Sequence, residues 1–272
     1  MTSLEKIISK QEIEELKAKP LGGQKIEYLE QNDELINFFL LNDFNKYHIQ
    51  QIIHGKNWKE KLEWARKNFK TVLEPMGFTG YHYSQIVVNA GWLEKLEWAR
   101  ENFEDLLKPM GFNGSHYSQI VRNADWEDKL DWARKNFKTV LEPMGFKGYH
   151  YSQIVVNAGW LEKLEWAREN FEDLLKPMGF NGYHYSQIVL GKGWEEKLEW
   201  VCNEYKDSLM IMGFSPSQTA KIIKGKEWEQ KINWIKNNYW PKDEEEKPKY
   251  TPAQLTKIIT KKDWQQKLKN QN

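Results

Sequence analysis

Cysteine is almost missing from this chain: Cys202 is the only one among 272 residues. One thiol excludes an intramolecular disulfide framework and a cysteine-rich zinc site, and it predicts a reducing, intracellular working environment. Long apolar runs are missing too. No stretch approaches the roughly 18 apolar residues that read as a membrane span, so no membrane partner is expected. The opening "MTSLEKIISKQEIEELKAK" has neither an apolar h-region nor a small-residue cleavage site, and no secretory signal is expected there. An excess of one charge is also absent: 40 Lys and Arg against 39 Asp and Glu leave a net charge of +1. That balance weighs against a strongly basic nucleic-acid binder. Finally, the phosphate-cradling G-x-x-x-x-G-K-[ST], the nucleophile elbow G-x-S-x-G and the zinc-binding H-E-x-x-H do not occur. No catalytic residue, metal site or cofactor is therefore assigned, and the chain is not expected to be an enzyme.

What is present is repetition. The stretch "VVNAGWLEKLEWAREN" occurs unchanged at 87–102 and 155–170. Met-Gly-Phe recurs at Met76, Met110, Met144, Met178 and Met212, always 34 residues apart. Trp58, Trp92, Trp126, Trp160, Trp194 and Trp228 form one column, and Trp64, Trp98, Trp132, Trp166, Trp200 and Trp234 a second. A period of this length signals an array of supersecondary units. Six repeats start at Phe44, Phe78, Phe112, Phe146, Phe180 and Phe214, filling 44–239. Residues 1–43 match poorly and read as an N-terminal helical cap. The segment "WPKDEEEKPK" at 240–249 reads as a charged inserted loop, and 250–272, opening at Tyr250, as a truncated seventh repeat or C-terminal cap.

Inside a repeat, Trp92, Leu96, Ala99, Phe103, Leu106, Leu107 and Met110 fall on one stripe, which predicts a continuous amphipathic helix over 92–110. Pro109 and Gly111 suit its end. A shorter helix is expected over 81–88, and Asn89, Ala90 and Gly91 form the turn between the two. Such a unit cannot bury its stripe alone, so neighbours must stack into a right- or left-handed solenoid. The first tryptophan column continues the stripe. The second lies off it, facing either the adjacent repeat or a concave surface. His48, His82, His116, His150 and His184 form a further column. Equivalent atoms in stacked helices lie about 10 Å apart, too far to share one metal ion; a structural role or a solvent-facing ledge is expected.

The twelfth and thirteenth residues of the repeats vary on this steady background: Gly55-Lys56, Asn89-Ala90, Asn123-Ala124, Asn157-Ala158, Gly191-Lys192, Gly225-Lys226 and Lys261-Lys262. A constant scaffold with changing loop pairs is the pattern of a modular nucleic-acid reader. Lys can donate to guanine O6 and N7, and Ala can contact a thymine methyl, while the asparagines brace their loops. A lysine column at Lys61, Lys95, Lys129, Lys163, Lys197, Lys231 and Lys267 either contacts phosphates or pairs with helix acids.

Repeat six opens "FSPSQTAKIIKGKEWEQKI" and repeat seven "YTPAQLTKIITKKDWQQKL". These openings resemble the repeats of transcription-activator-like effectors, including divergent bacterial relatives. Gln218 and Gln254, Ile222 and Ile258, Ile232 and Leu268, and Gly213 fall in register without gaps. The resemblance covers most of 44–268. It implies a right-handed superhelical, all-α solenoid of 34-residue helix-loop-helix repeats whose loop pairs face the major groove of duplex DNA. It also implies a monomer, located in a host nucleus if the protein is a secreted bacterial effector and in the bacterial cytoplasm otherwise. "GWLEKL", "DWEDKL" and "EWEQKI" stand where that family has its phosphate-binding Gly-Gly-Lys-Gln, so no base code carries over. "GFSPSQTAKII" is also similar to the mitochondrial transcription termination factor repeat, another helical nucleic-acid binder. The competing expectation is a protein-binding solenoid with an aromatic concave surface.

Overall fold

The computed structural model describes residues 4–6, 8–239 and 248–269. Residues 240–247, most of the charged insertion, lie outside the described residues, as do 1–3, 7 and 270–272. Every regular element described is helical, and the pattern of elements recurs about every 34 residues. The described part of the truncated repeat keeps that pattern, with helices Pro252–Ile259 and Trp264–Lys269.

The second repeat shows how residues make the unit. Thr79 caps a short helix, Gly80–Val87, and a turn leads to the long helix Trp92–Asn102. Gly91 enters that helix at φ 67° and Gly111 leaves the unit at φ 76°. Both values lie in the left-handed region, where glycine escapes the penalty that a Cβ carries.

The long helix is not continuous to Met110, as the stripe predicts. After Asn102 the chain widens into a π-helical turn, Phe103–Leu107, and then tightens into a 3-10 turn, Lys108–Met110. A side chain joins the backbone ladder at this step. Asn102 donates its amide to the Trp98 carbonyl at 2.9 Å, the acceptor that its own backbone N–H would use in an α-helix. The N–H of Lys108 then reaches back five residues to Phe103. Asn68 and Asn170 make the same bond to Trp64 and Trp166, at 3.1 and 3.0 Å, and π-helical turns follow both.

The chain divides into two compact units, Met1–Arg134 and Lys135–Asn272. In the first, helices Lys10–Lys17, Gly22–Glu30 and Asp33–Leu41 precede the array. Phe44 packs edge-to-face at 4.9 Å against both Phe39 and Phe69, joining those helices to the first repeat. Within this unit the first and second repeats each grip the next through the second tryptophan. Trp64 stacks on Tyr83 at 5.8 Å and 15°, and Trp98 on Tyr117 at 5.8 Å and 17°. The tyrosine hydroxyls donate to the carbonyls of Lys61 and Lys95, at 2.5 and 2.6 Å. In the second unit Trp166 stacks on Tyr185, whose hydroxyl donates to the Lys163 carbonyl. For Trp64, Trp98 and Trp166, of the two expectations for this column, packing on the adjacent repeat is the one realised. Both tyrosine faces are buried, so the ring pair and the hydroxyl bond act together.

The histidines have a backbone task. His48, His82, His116, His150 and His184 each accept, on Nδ1, the backbone N–H of the residue that caps their own helix, at 3.0–3.2 Å. Gln218 and Gln254 make the same bond through Oε1, completing capping boxes of the usual kind. An Nδ1 that accepts must be unprotonated. Burial holds His48, His82, His116 and His184 below the ordinary histidine value of 6.5. The unfolded chain therefore binds protons first on acidification, and the stability contributed by these caps is complete above about pH 6.5 and is lost as pH falls through the lower folded values. Thermal melts are expected to show Tm falling between pH 7 and pH 5, and replacing His82, His116 and His184 by Gln is expected to flatten that fall.

Candidate functional site

The loop edge is built from the end of each short helix. At its last turn a carbonyl lacks a helical partner, and the twelfth residue supplies one: Asn89 donates its side-chain amide to the Gln85 carbonyl at 2.7 Å, and Asn157 to Gln153 at 2.6 Å. The fourteenth residue turns the chain into the long helix at positive φ, at Asn57, Gly91, Gly159, Gly193 and Glu227. Between them the thirteenth residue is pushed outward. Lys56, Ala90, Ala124, Ala158, Lys192, Lys226 and, in the truncated repeat, Lys262 are all exposed. Lys261 is exposed beside Lys262, whereas Asn89, Asn123, Asn157 and Gly225 are half-buried. Gly55 and Gly191 are exposed backbone.

The lysine column proves to belong to the loop itself. Lys95, Lys163, Lys197 and Lys231 donate from Nζ to the carbonyls of Ala90, Ala158, Lys192 and Lys226, at 2.9, 2.7, 3.1 and 2.7 Å. Each acceptor is the thirteenth residue of the same repeat. Lys129 holds the Asp125 carboxylate at 2.7 Å. At Gly55 and Gly225 a Cβ would stand 3.3 and 3.1 Å from the Lys61 and Lys231 ammonium groups, so glycine leaves room for the lysine there. All six are buried, Lys163 to 2% exposure. Burial also pushes Lys61, Lys95, Lys163, Lys197 and Lys231 below the usual lysine pKa. Four of them, Lys95, Lys163, Lys197 and Lys231, form the mount on which the loop residue sits, and Lys129 pairs with an acid, the other of the two roles open to this column. Lys267 differs, half-exposed and paired with Asp263 at 3.1 Å.

The charges around the edge are uneven. Glu60, Glu94, Asp128, Glu162 and Glu196 occupy the first turn of the long helices, where a carboxylate favours the helix dipole and opposes an approaching phosphate. In the second unit the exposed lysines Lys192, Lys224, Lys226, Lys261 and Lys262 make the last three loops basic. In the first unit a cavity of about 440 Å³ lies between the first two loops, with Lys56, Val88, Ala90, Leu93 and Glu94 on its walls. Val88 and Leu93 are nearly half exposed, and Val156 and Leu161 repeat them beside the fourth loop.

Sequence reasoning found the loop pair but missed the mount. Its signal was present: lysine recurs at the eighteenth position in every repeat, while the neighbouring polar positions change. Among the described residues no group of three or more His, Cys, Asp or Glu is placed to hold a metal ion, and no helix is long and apolar enough to cross a membrane. No family model matches the chain, and no curated protein matches it.

Proposed function

We propose that the loop edge binds nucleic acid, with duplex DNA contacted in the major groove by the thirteenth residue of successive repeats. One observation carries this reading: a buried lysine fixes the backbone carbonyl of a loop residue whose own side chain is exposed and changes from repeat to repeat. A fixed mount with a variable tip is what a serial reader needs, because the cost of ordering each tip is met on folding rather than on binding. The likeness of most of 44–268 to transcription-activator-like effector repeats supports the same reading. Lys56, Lys192, Lys226, Lys261 and Lys262 would supply charge to phosphates or donors to guanine, and the alanine loops a close approach to the groove. With acidic first turns beside them, a few exposed lysines carry the electrostatics, so binding is expected to be strongest at low salt.

A second reading, a protein-binding array, is favoured by Val88, Leu93, Val156 and Leu161, which are exposed beside alanine loops as interface cores are. Fluorescence polarisation with random-sequence duplex DNA, single-stranded DNA and RNA separates the two. Duplex binding that weakens from low to physiological salt is expected; no binding to any of the three at the lowest salt would sink the nucleic-acid reading and leave the protein-binding one.

A further inference from the structure

Four repeats neutralise one carboxylate on the long helix in the same way. Arg66 pairs with Glu63 at 2.9 Å, and Arg100 with Glu97, Arg134 with Asp131 and Arg168 with Glu165 keep the same spacing. In the fifth repeat the carboxylate remains, as Glu199, but Cys202 stands where the arginine belongs. Glu199 is exposed and has no ion-pair partner among the described residues. It lines a cavity of about 370 Å³ together with Glu196, Glu204, Glu229, Trp200 and Trp228. Lys236 satisfies Glu204 at 2.5 Å, which leaves three carboxylates without a cation. The two indoles meet edge-to-face at 6.1 Å and 66°, so they form walls at an angle to each other and present aromatic surface to whatever enters.

We propose that this cavity binds the arginine side chain of a protein partner, which takes the place of the guanidinium that the repeat itself has lost. The chemistry fits on each count. The sister repeats demonstrate that a carboxylate at this position engages a guanidinium. A guanidinium is planar, offers donors in a fork that matches carboxylates, and stacks on aromatic faces better than an ammonium does. Unlike a bare acidic patch, the site combines a charge deficit peculiar to one repeat with an aromatic recess beside it. It lies along the long helices of the fifth and sixth repeats and meets the loop edge at Glu196 and Glu229, but none of the exposed loop lysines lines it.

The test is nuclear magnetic resonance of the full chain carrying 15N in its indole groups, titrated with N-acetylarginine amide and with its neutral isostere, N-acetylcitrulline amide. Saturable shifts of the Trp200 and Trp228 signals by the arginine compound alone are expected. Glu199→Gln is expected to weaken them about tenfold, and Cys202→Arg to abolish them by filling the position from within while leaving the Trp166–Tyr185 region unperturbed. Equal shifts with the citrulline compound, shifts spread over all indole signals, no shift at all, or a response unchanged in both variants would overturn the proposal.

Discussion

Gly182→Ala is expected to destabilise the second unit by about 2 kcal/mol, read as a lowered urea midpoint. The added Cβ would lie 2.5 Å from Phe146 Cδ2 and 2.8 Å from Phe146 Cα. The ring atom can rotate away, but the Cα belongs to the backbone at the start of the preceding repeat. The two backbones are also tied there, because the Gly182 N–H donates to the Met144 carbonyl at 3.1 Å. Relief requires the repeats to separate, and forcing an extra methyl into such packing costs ~1–3 kcal/mol or more, which outweighs the ~0.5–1 kcal/mol that alanine gains over glycine in a helix. Gly80→Ala is the graded control. Its Cβ meets only the Phe44 ring, at 2.8 to 3.0 Å, so a smaller loss is expected. At Gly23 nothing lies within 4 Å, and Gly23→Ala should be neutral or slightly stabilising.

Lys163→Met is expected to cost about 2 kcal/mol, while Lys192→Ala should stay within about 0.5 kcal/mol of wild type. The two lysines occupy neighbouring repeats and look alike in the sequence, yet one is inside and the other outside. Lys163 gives a charge-assisted bond to the Ala158 carbonyl and lies over the Trp194 ring at 6.0 Å. Methionine keeps the packing of the stem but loses both interactions, leaving the carbonyl without its donor. Lys192 carries an exposed side chain whose removal deprives no buried group of a partner. Urea unfolding of both variants measures the contrast directly.

The contrast also explains which features a reading of the sequence reaches. The 34-residue pattern, the short helix ending near Val87, the turn at Gly91 and the cap at Gly111 follow from rules local to a few residues: periodicity, glycine at positive φ, proline at a helix end. The π-helical turns were not legible, since the apolar stripe runs on through Phe103, Leu107 and Met110 as it would in a continuous α-helix. The second tryptophan column was legible as a column but not as a contact, because helical periodicity orders residues within one helix and says nothing of Tyr117 on the next repeat. The lysine mount depends on a left-handed residue turning the chain back, so that a side chain can reach a carbonyl five positions earlier. Spacing alone reads such a lysine as a surface charge. Burial is what separates this lysine from an exposed one such as Lys192.

The most direct measurement is therefore the salt dependence of duplex DNA binding by wild type, by Lys192→Ala/Lys226→Ala and by Lys163→Met, each kept well below its melting temperature. If the exposed loop lysines make the contacts, the double variant binds more weakly and its slope of log affinity against log salt falls by about 1.8, one phosphate for each lysine, while Lys163→Met keeps the wild-type slope. A slope unchanged in the double variant but reduced in Lys163→Met would contradict the assignment of mount and tip.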